Sequence, residues 1–338
     1  MPETLDKSKI YALLSSIILL GLVYAWFPFS KFLISAQAEP ILKVAWEYSG
    51  GDDWAHCRIV PLFALLLVYL QWNEIRKIEW KGEFMGLPLL VFFGLIFWLG
   101  YITDLHYLAY LSFQGMIASL ILWFAGKEMV RALTFPLLFL TFMWPWLFLD
   151  NVIAFPLRLF MSNISHHFLN LIGIPNLQIG SAIVSSPNFA LGIPQGSRFQ
   201  LDVANPCSGI RSLFALTMIT SLYSYLTLPK IWQRWTLFVC SVPLAILGNF
   251  IRILLLTFAT ILFGTSFAIG TETNPSFFHL GAGYFVYIIA VGGMIGIGWL
   301  LQRDWKTWYE NRKKEIVEET TPTPSIPSKE TPAESDKY

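Results

Sequence analysis

Only 13% of the 338 residues are Asp, Glu, Lys or Arg, about half the share of an ordinary soluble domain. A chain so poor in charge cannot clothe the surface of the two soluble domains that its length would otherwise suggest. Cysteine is scarce as well. Cys57, Cys207 and Cys240 are the whole set and contain no C-x-x-C, so neither a disulfide framework nor a cysteine-held metal centre is expected, and no cofactor is foreseen. Neither sign of charge is in excess: 23 Lys plus Arg stand against 22 Asp plus Glu, a net of +1, which gives nucleic acid no footing. Internal repeats are lacking, and no acidic residue falls within the long apolar runs.

What is abundant is apolar. Residues of the AVILMFWYC set make up 55% of the chain and aromatics 16%, with a mean hydropathy of +0.56. Eight apolar runs are candidates for the roughly 20-residue helical crossing of a bilayer, the second short and the seventh long: Ile10 to Phe29, Ile59 to Trp72, Phe84 to Ile102, Leu105 to Phe124, Ala132 to Leu149, Leu213 to Leu228, Trp235 to Phe263 and His279 to Leu301. The expectation is an all-α polytopic membrane protein of about eight spans. With the N-terminus cytoplasmic, sixteen of the Lys and Arg residues lie inside. Six (Lys31, Lys43, Arg58, Arg158, Arg198 and Arg211) lie outside, and Arg252 lies within a span. That asymmetry puts both termini inside, in the plasma or inner membrane.

Three regions follow: helices one to five over 1–150, an outer loop with helices six to eight over 151–301, and a cytoplasmic tail over 302–338. The tail's Pro, Thr and Glu content without apolar periodicity predicts disorder. Ala36-Gln37-Ala38 has the form of a signal-peptidase site, but the preceding apolar run exceeds an ordinary signal core and Lys31 interrupts the approach, so a retained first helix is expected. The loop between spans five and six opens with an amphipathic stretch, Phe155 to Ile172, suited to lie along the membrane surface. Gln178 to Val203, rich in Gly, Pro, Ser and β-branched residues, predicts short strands or turns.

Three residues stand out chemically. Cys207 sits in Asn205-Pro206-Cys207-Ser208-Gly209-Ile210-Arg211-Ser212, where the outer loop becomes the sixth helix. Pro206 suits a first helical turn, and unpaired N–H groups there stabilise a thiolate. Arg211 follows at i+4 on the same face. The bland alternative is a small packing cysteine. Arg252, in Gly248-Asn249-Phe250-Ile251-Arg252-Ile253, costs about 2.5–3.5 kcal/mol to bury in a span and should face a polar cavity or a partner. It lies about 8 Å below the outer boundary if the apolar core ends near Thr257 and roughly 16 Å deep if the core runs to Phe263; a structural ion pair is the alternative role. His279 opens the eighth span and is able to exchange protons with a thiol or a leaving amine, although interfacial histidines commonly act as headgroup anchors. The positive-inside arrangement brings Cys207, Arg252 and His279 toward one face.

Cys-Ser-Gly-Ile-Arg-Ser, then Gly-Asn-Phe-Ile-Arg-Ile, then a histidine at the head of the next helix resembles the core of the exosortase/archaeosortase family, membrane cysteine transpeptidases. The motifs cover roughly Gln195 to Leu301. Chain length, the Trp-rich N-terminal half and the Pro-rich tail are similar to the cyanobacterial-type subgroup. The resemblance implies Cys207 as nucleophile, His279 as the general acid/base and Arg252 as the active-site arginine; Arg252 is expected to stabilise the oxyanion, with Arg211, Ser208 and Asn249 as candidate support and snorkelling the alternative for Arg211. It also implies partners: exported proteins bearing a C-terminal sorting signal (a short motif such as Pro-Glu-Pro, a helix, basic residues), membrane lipid, and a lipid or glycan acceptor. Three other readings stand beside it. Asp52 and Asp53 in the first outer loop would suit a polyprenyl-sugar-dependent glycosyltransferase, Arg252 would suit a transporter's substrate site, and Ser208 with His279 would suit an intramembrane serine protease.

Overall fold

A computed structural model describes residues 7–30, 38–50, 54–202, 210–271 and 274–303. Among these, every one of the eight apolar runs is helical over most of its length. The chain opens with α1 (Lys7–Trp26), an antiparallel pair β1 (Pro28–Ser30) and β2 (Glu39–Pro40), and α2 (Ile41–Tyr48). A 3-10 turn over Ala55–Ile59 leads into α3 (Val60–Leu70) and a short α4 (Trp72–Ile75). Next come α5 (Gly86–Thr103) and α6 (His106–Ala125), a hairpin turned at Asp104 in the left-handed region (φ 55). Its helices approach closely: a Cβ at Gly86 would lie 2.5 Å from the Trp123 backbone nitrogen, and one at Gly115 would collide with the Phe93 ring. On this hairpin lies α1, whose Tyr24 hydroxyl shares a 2.6 Å hydrogen bond with Ser112.

The fifth run departs from expectation. Instead of one helix to Leu149, α7 (Lys127–Phe139) gives way to a 3-10 turn over Leu140–Met143, and Trp144 is extended (φ −97, ψ 135). Pro145 follows Trp144, and its ring disfavours helical backbone at the preceding residue. Five helices in the described residues, α1, α5, α6 and the two longest of the C-terminal half, are long and apolar enough to cross a membrane. The protein is thus a multi-pass helical membrane protein.

Between the halves, α8 (Phe155–Leu171) matches the amphipathic stretch. The Gly- and Pro-rich segment after it forms an antiparallel sheet in the order β3 (Asn176–Ile179), β4 (Ala182–Ser185), β5 (Gln200–Asp202), so the fold is mostly rather than wholly helical. The remainder is α9 (Ile210–Thr227), α10 (Ile231–Phe263), the single turn α11 (Thr265–Ala268) and α12 (Phe277–Gln302). Hydrogen bonds from Gln233 Nε2 to the Leu301 carbonyl (2.6 Å) and from Gln302 Nε2 to the Thr227 carbonyl (3.4 Å) gather the end of α9, the start of α10 and the end of α12. The starts of α9 and α12 therefore share the opposite end. With 33 residues, α10 is about 50 Å long, well beyond a hydrocarbon core of about 30 Å.

Candidate active site

Cys207, Ser208, Asp52, Asp53, the Ala36-Gln37 part of the signal-peptidase pattern and the tail from 304 onward lie outside the described residues. Arg211 is in the first turn of α9; its side chain lies outside the described set. Within it, Arg252 and His279 come together. Arg252 Nη2 is 3.0 Å from His279 Nε2. Arginine carries only donors, so Nε2 accepts, and the ring is the neutral tautomer with its proton on Nδ1. The contact marks Arg252 as facing a polar partner inside the bundle, as a cation in an apolar helix requires. That partner is an imidazole. Among the described residues Arg252 forms no ion pair with a carboxylate.

Local sequence explains the contact. Gly248 lies one turn before Arg252, and a Cβ there would be 2.9 Å from Val286 Cγ1, so α12 closes on α10 over a bare backbone. On α12, a Cβ at Gly283 would lie 3.5 Å from Arg252 Nη2, leaving the guanidinium to rest on the helix surface. Ser276 caps α12: its hydroxyl accepts from the His279 N–H at 3.0 Å and donates to the Ala268 carbonyl at 3.0 Å. That pair of bonds ties the first turn carrying His279 to the end of α11. Asn249 is buried beside Arg252 on α10. His279 is itself only 3% exposed, and Arg252 Nε is buried with no hydrogen bond among the described residues. The guanidinium thus has donors to spare after binding His279.

The length of α10 sets where Arg252 lies along the bundle. His279 is on the first turn of α12, yet it meets a residue followed by a further eleven on α10. These extend about 16 Å past the pair. The excess length of α10 therefore projects beyond the level at which α12 begins, and the pair sits near the bundle end from which α9 also starts.

The other cysteines have different surroundings. Cys57, in the 3-10 turn ahead of α3, is 2% exposed, and burial pushes its thiol up to about 12, far from thiolate chemistry. Cys240 is partly buried within α10. Among the described residues no three His, Cys, Asp or Glu side chains gather as a metal site. Two apolar cavities flank the candidate site. One of about 650 Å³ is lined by Leu255, Phe267, Ser276, Phe278 and Gly281, beside the first turns of α12. The other, about 780 Å³, runs beside the start of α9 between Trp54, Trp144, Trp146, Leu213 and Phe214, with Trp54 stacked on Phe214 at 4.8 Å. Sequence reasoning did not find Ser276, although a serine three residues before His279 is a readable N-cap.

A multi-pass helical bundle holds a cation against an imidazole near the start of α12, and in the sequence Cys207 lies three residues before α9. The family model for transmembrane exosortases matches residues 46–296, and the chain belongs to that family. The match begins well before the motif-bearing stretch and takes in most of the N-terminal half. Neither a curated protein nor a solved structure matches the chain.

Proposed function

We propose that the protein is a cysteine-type peptidase and transpeptidase that cuts exported proteins near a C-terminal sorting signal at the outer membrane face. The observation that carries this reading is the 3.0 Å contact between Arg252 and His279, within a chain that belongs to the exosortase family. Cys207 is the proposed nucleophile. In the resting site Arg252 donates to His279 Nε2 and keeps the ring neutral. When Cys207 sulfur attacks the scissile carbonyl carbon, negative charge develops on the carbonyl oxygen, and the guanidinium turns from Nε2 to that oxygen. Nε2 is then free to hold the thiol proton. Collapse of the tetrahedral species breaks the C–N bond, the proton passes from imidazolium to the departing amine, and a thioester remains on Cys207. An amine or hydroxyl of a lipid- or glycan-linked acceptor then attacks the thioester and releases Cys207; water in that place would make the reaction hydrolysis. Ser208, Asn249 and Arg211 are the candidates for support around the oxyanion and the thiolate.

The experiment is mass spectrometry of envelope proteins from cells carrying the intact protein or Cys207→Ala. The expected result is accumulation of proteins that keep their C-terminal helix in the Cys207→Ala cells. Unaltered processing there would remove Cys207 from the chemistry and return weight to a glycosyltransferase using Asp52 and Asp53 or to a transporter.

A further inference from the structure

On α8 lies a polar stripe that this reaction scheme leaves unused. Arg158, Ser162 and Ser165 recur at i, i+4 and i+7, which puts them on one helical face. That face is turned inward. Ser162 and Ser165 are fully buried, and Met161 and Leu169 beside them pack in one cluster with Leu201 of β5, Ile253 of α10 and Ala282 of α12. Ile253 adjoins Arg252 in the sequence and Ala282 lies one turn beyond His279, so the cluster on this side of α8 reaches the helix turns that carry the cation–imidazole pair. Yet Arg158 Nε, Ser162 Oγ and Ser165 Oγ are all buried without a hydrogen bond among the described residues. Helical hydroxyls commonly bond back to the carbonyl four residues earlier, as Thr257 and Thr260 do; these two serines do not. Nor does Arg158 form an ion pair among the described residues. Arg158 itself is partly buried, but a guanidinium Nε and two hydroxyls buried without partners are costly to hold unless a ligand uses them.

We propose that this stripe binds an acidic side chain of the polypeptide substrate, an inference that rests on the acyl-transfer reading above. A carboxylate takes a planar pair of hydrogen bonds from a guanidinium and has lone pairs left for the two hydroxyls. A peptide fits the position better than a lipid phosphate. The stripe looks into the protein between the sheet and α10, whereas exposed Phe160 and Leu171 occupy the other side of α8. The strand in the same cluster, β5, ends five residues before Cys207 in the sequence, and in this proposal the substrate residues that flank the cut lie beside α8.

The test uses full-length protein in its membranes and, as reporter, an envelope protein that keeps its C-terminal helix in Cys207→Ala cells. Versions of the reporter carry each Asp or Glu near the cut site as its amide. Arg158→Gln should raise KM by about tenfold or more, the scale of a lost charge-assisted hydrogen bond, with kcat little changed. Arg158→Lys should recover part of that loss, and Ser162→Ala with Ser165→Ala should give a smaller one. One amide reporter should be slow with the unaltered protein and lose nothing further with Arg158→Gln, the signature of a direct pair. Equal KM for Arg158→Gln and the unaltered protein at matched abundance would overturn the site. So would an Arg158→Gln defect of the same size on every amide reporter, which would assign the cation to lipid phosphate or to packing. If no envelope protein depends on Cys207, the acyl-transfer reading falls and the site with it; Cys207 dependence with indifference to Arg158 overturns the site alone.

Discussion

Gly283 offers a graded way to move Arg252 without touching it. A Cβ at this position meets the guanidinium at 3.5 Å from Nη2 and 3.6 Å from Cζ, ordinary contact distances, so Gly283→Ala should leave the Arg252–His279 bond in place. Helix propensity favours alanine by about 1 kcal/mol, and that variant should be at least as stable as the parent. Leucine is different. Its Cγ stands about 1.5 Å beyond Cβ, and helical leucine rotamers lean toward the preceding turn, which here carries His279. Leucine and the guanidinium cannot share that space, so Arg252 must leave Nε2. Losing a hydrogen bond from a charged donor costs about 1.5–3 kcal/mol; losing an oxyanion donor costs about a hundredfold to a thousandfold in rate. The assay is the rate of Cys207-dependent processing in membranes, with detergent size-exclusion profiles to score folding. Gly283→Leu should fold, fall by about a hundredfold or more and resemble Arg252→Gln, while Gly283→Ala stays within a few-fold of the parent. A well-folded Gly283→Leu that processes as fast as Gly283→Ala would refute a role for the guanidinium at His279.

Two further outcomes follow from the same corner of the bundle. Gly248→Ala should destabilise the α10–α12 contact by about 1–3 kcal/mol through overpacking against Val286, and Val286→Ala in the same chain should restore much of it, read as thermal unfolding of purified protein in detergent. Ser276→Ala should cost about 1 kcal/mol of stability as a lost N-cap. It should also slow processing more than Ser15→Ala, since Ser276 holds the turn bearing His279 whereas the exposed Ser15 hydroxyl bonds only to the Ala12 carbonyl of its own helix.

Much of this was legible in the sequence, and the exceptions have physical causes. Long apolar runs without acidic residues become helices because the bilayer leaves backbone groups no other partner; each of the eight is helical over most of its length, and five of the resulting helices are long and apolar enough to cross. Where the reading fails, at Trp144, one Pro145 outweighs a continuous run of hydropathy. Turn-rich Gln178 to Val203 yields strands β3, β4 and β5, since β-branched residues spaced by Gly and Pro favour hairpins over helix. Arg252 announces itself by its charge alone. That its partner is His279 depends on the absence of side chains at Gly248 and Gly283, a property of two facing helices that no single stretch of sequence contains. Arg158 is harder still: read in sequence it is one more outer-loop cation, and only the inward turn of α8 separates it from a snorkelling side chain.

Overlength in α10 is what ties these parts together. This helix of 33 residues begins beside the end of α12 and runs eleven residues past the Arg252–His279 contact, so its last turns stand beyond the level at which α12 starts. That leaves Arg252 at the level where α12 starts, and leaves room beside α10 for α8 and the sheet, which pack on Ile253 and Leu256 just past Arg252. The projecting part of α10 thus serves as the wall against which the segment between α7 and α9 folds. Shortening α10 by one turn within Leu254–Phe263 would withdraw that wall while sparing the Arg252–His279 contact. Processing should then fail through a raised KM rather than a lowered kcat.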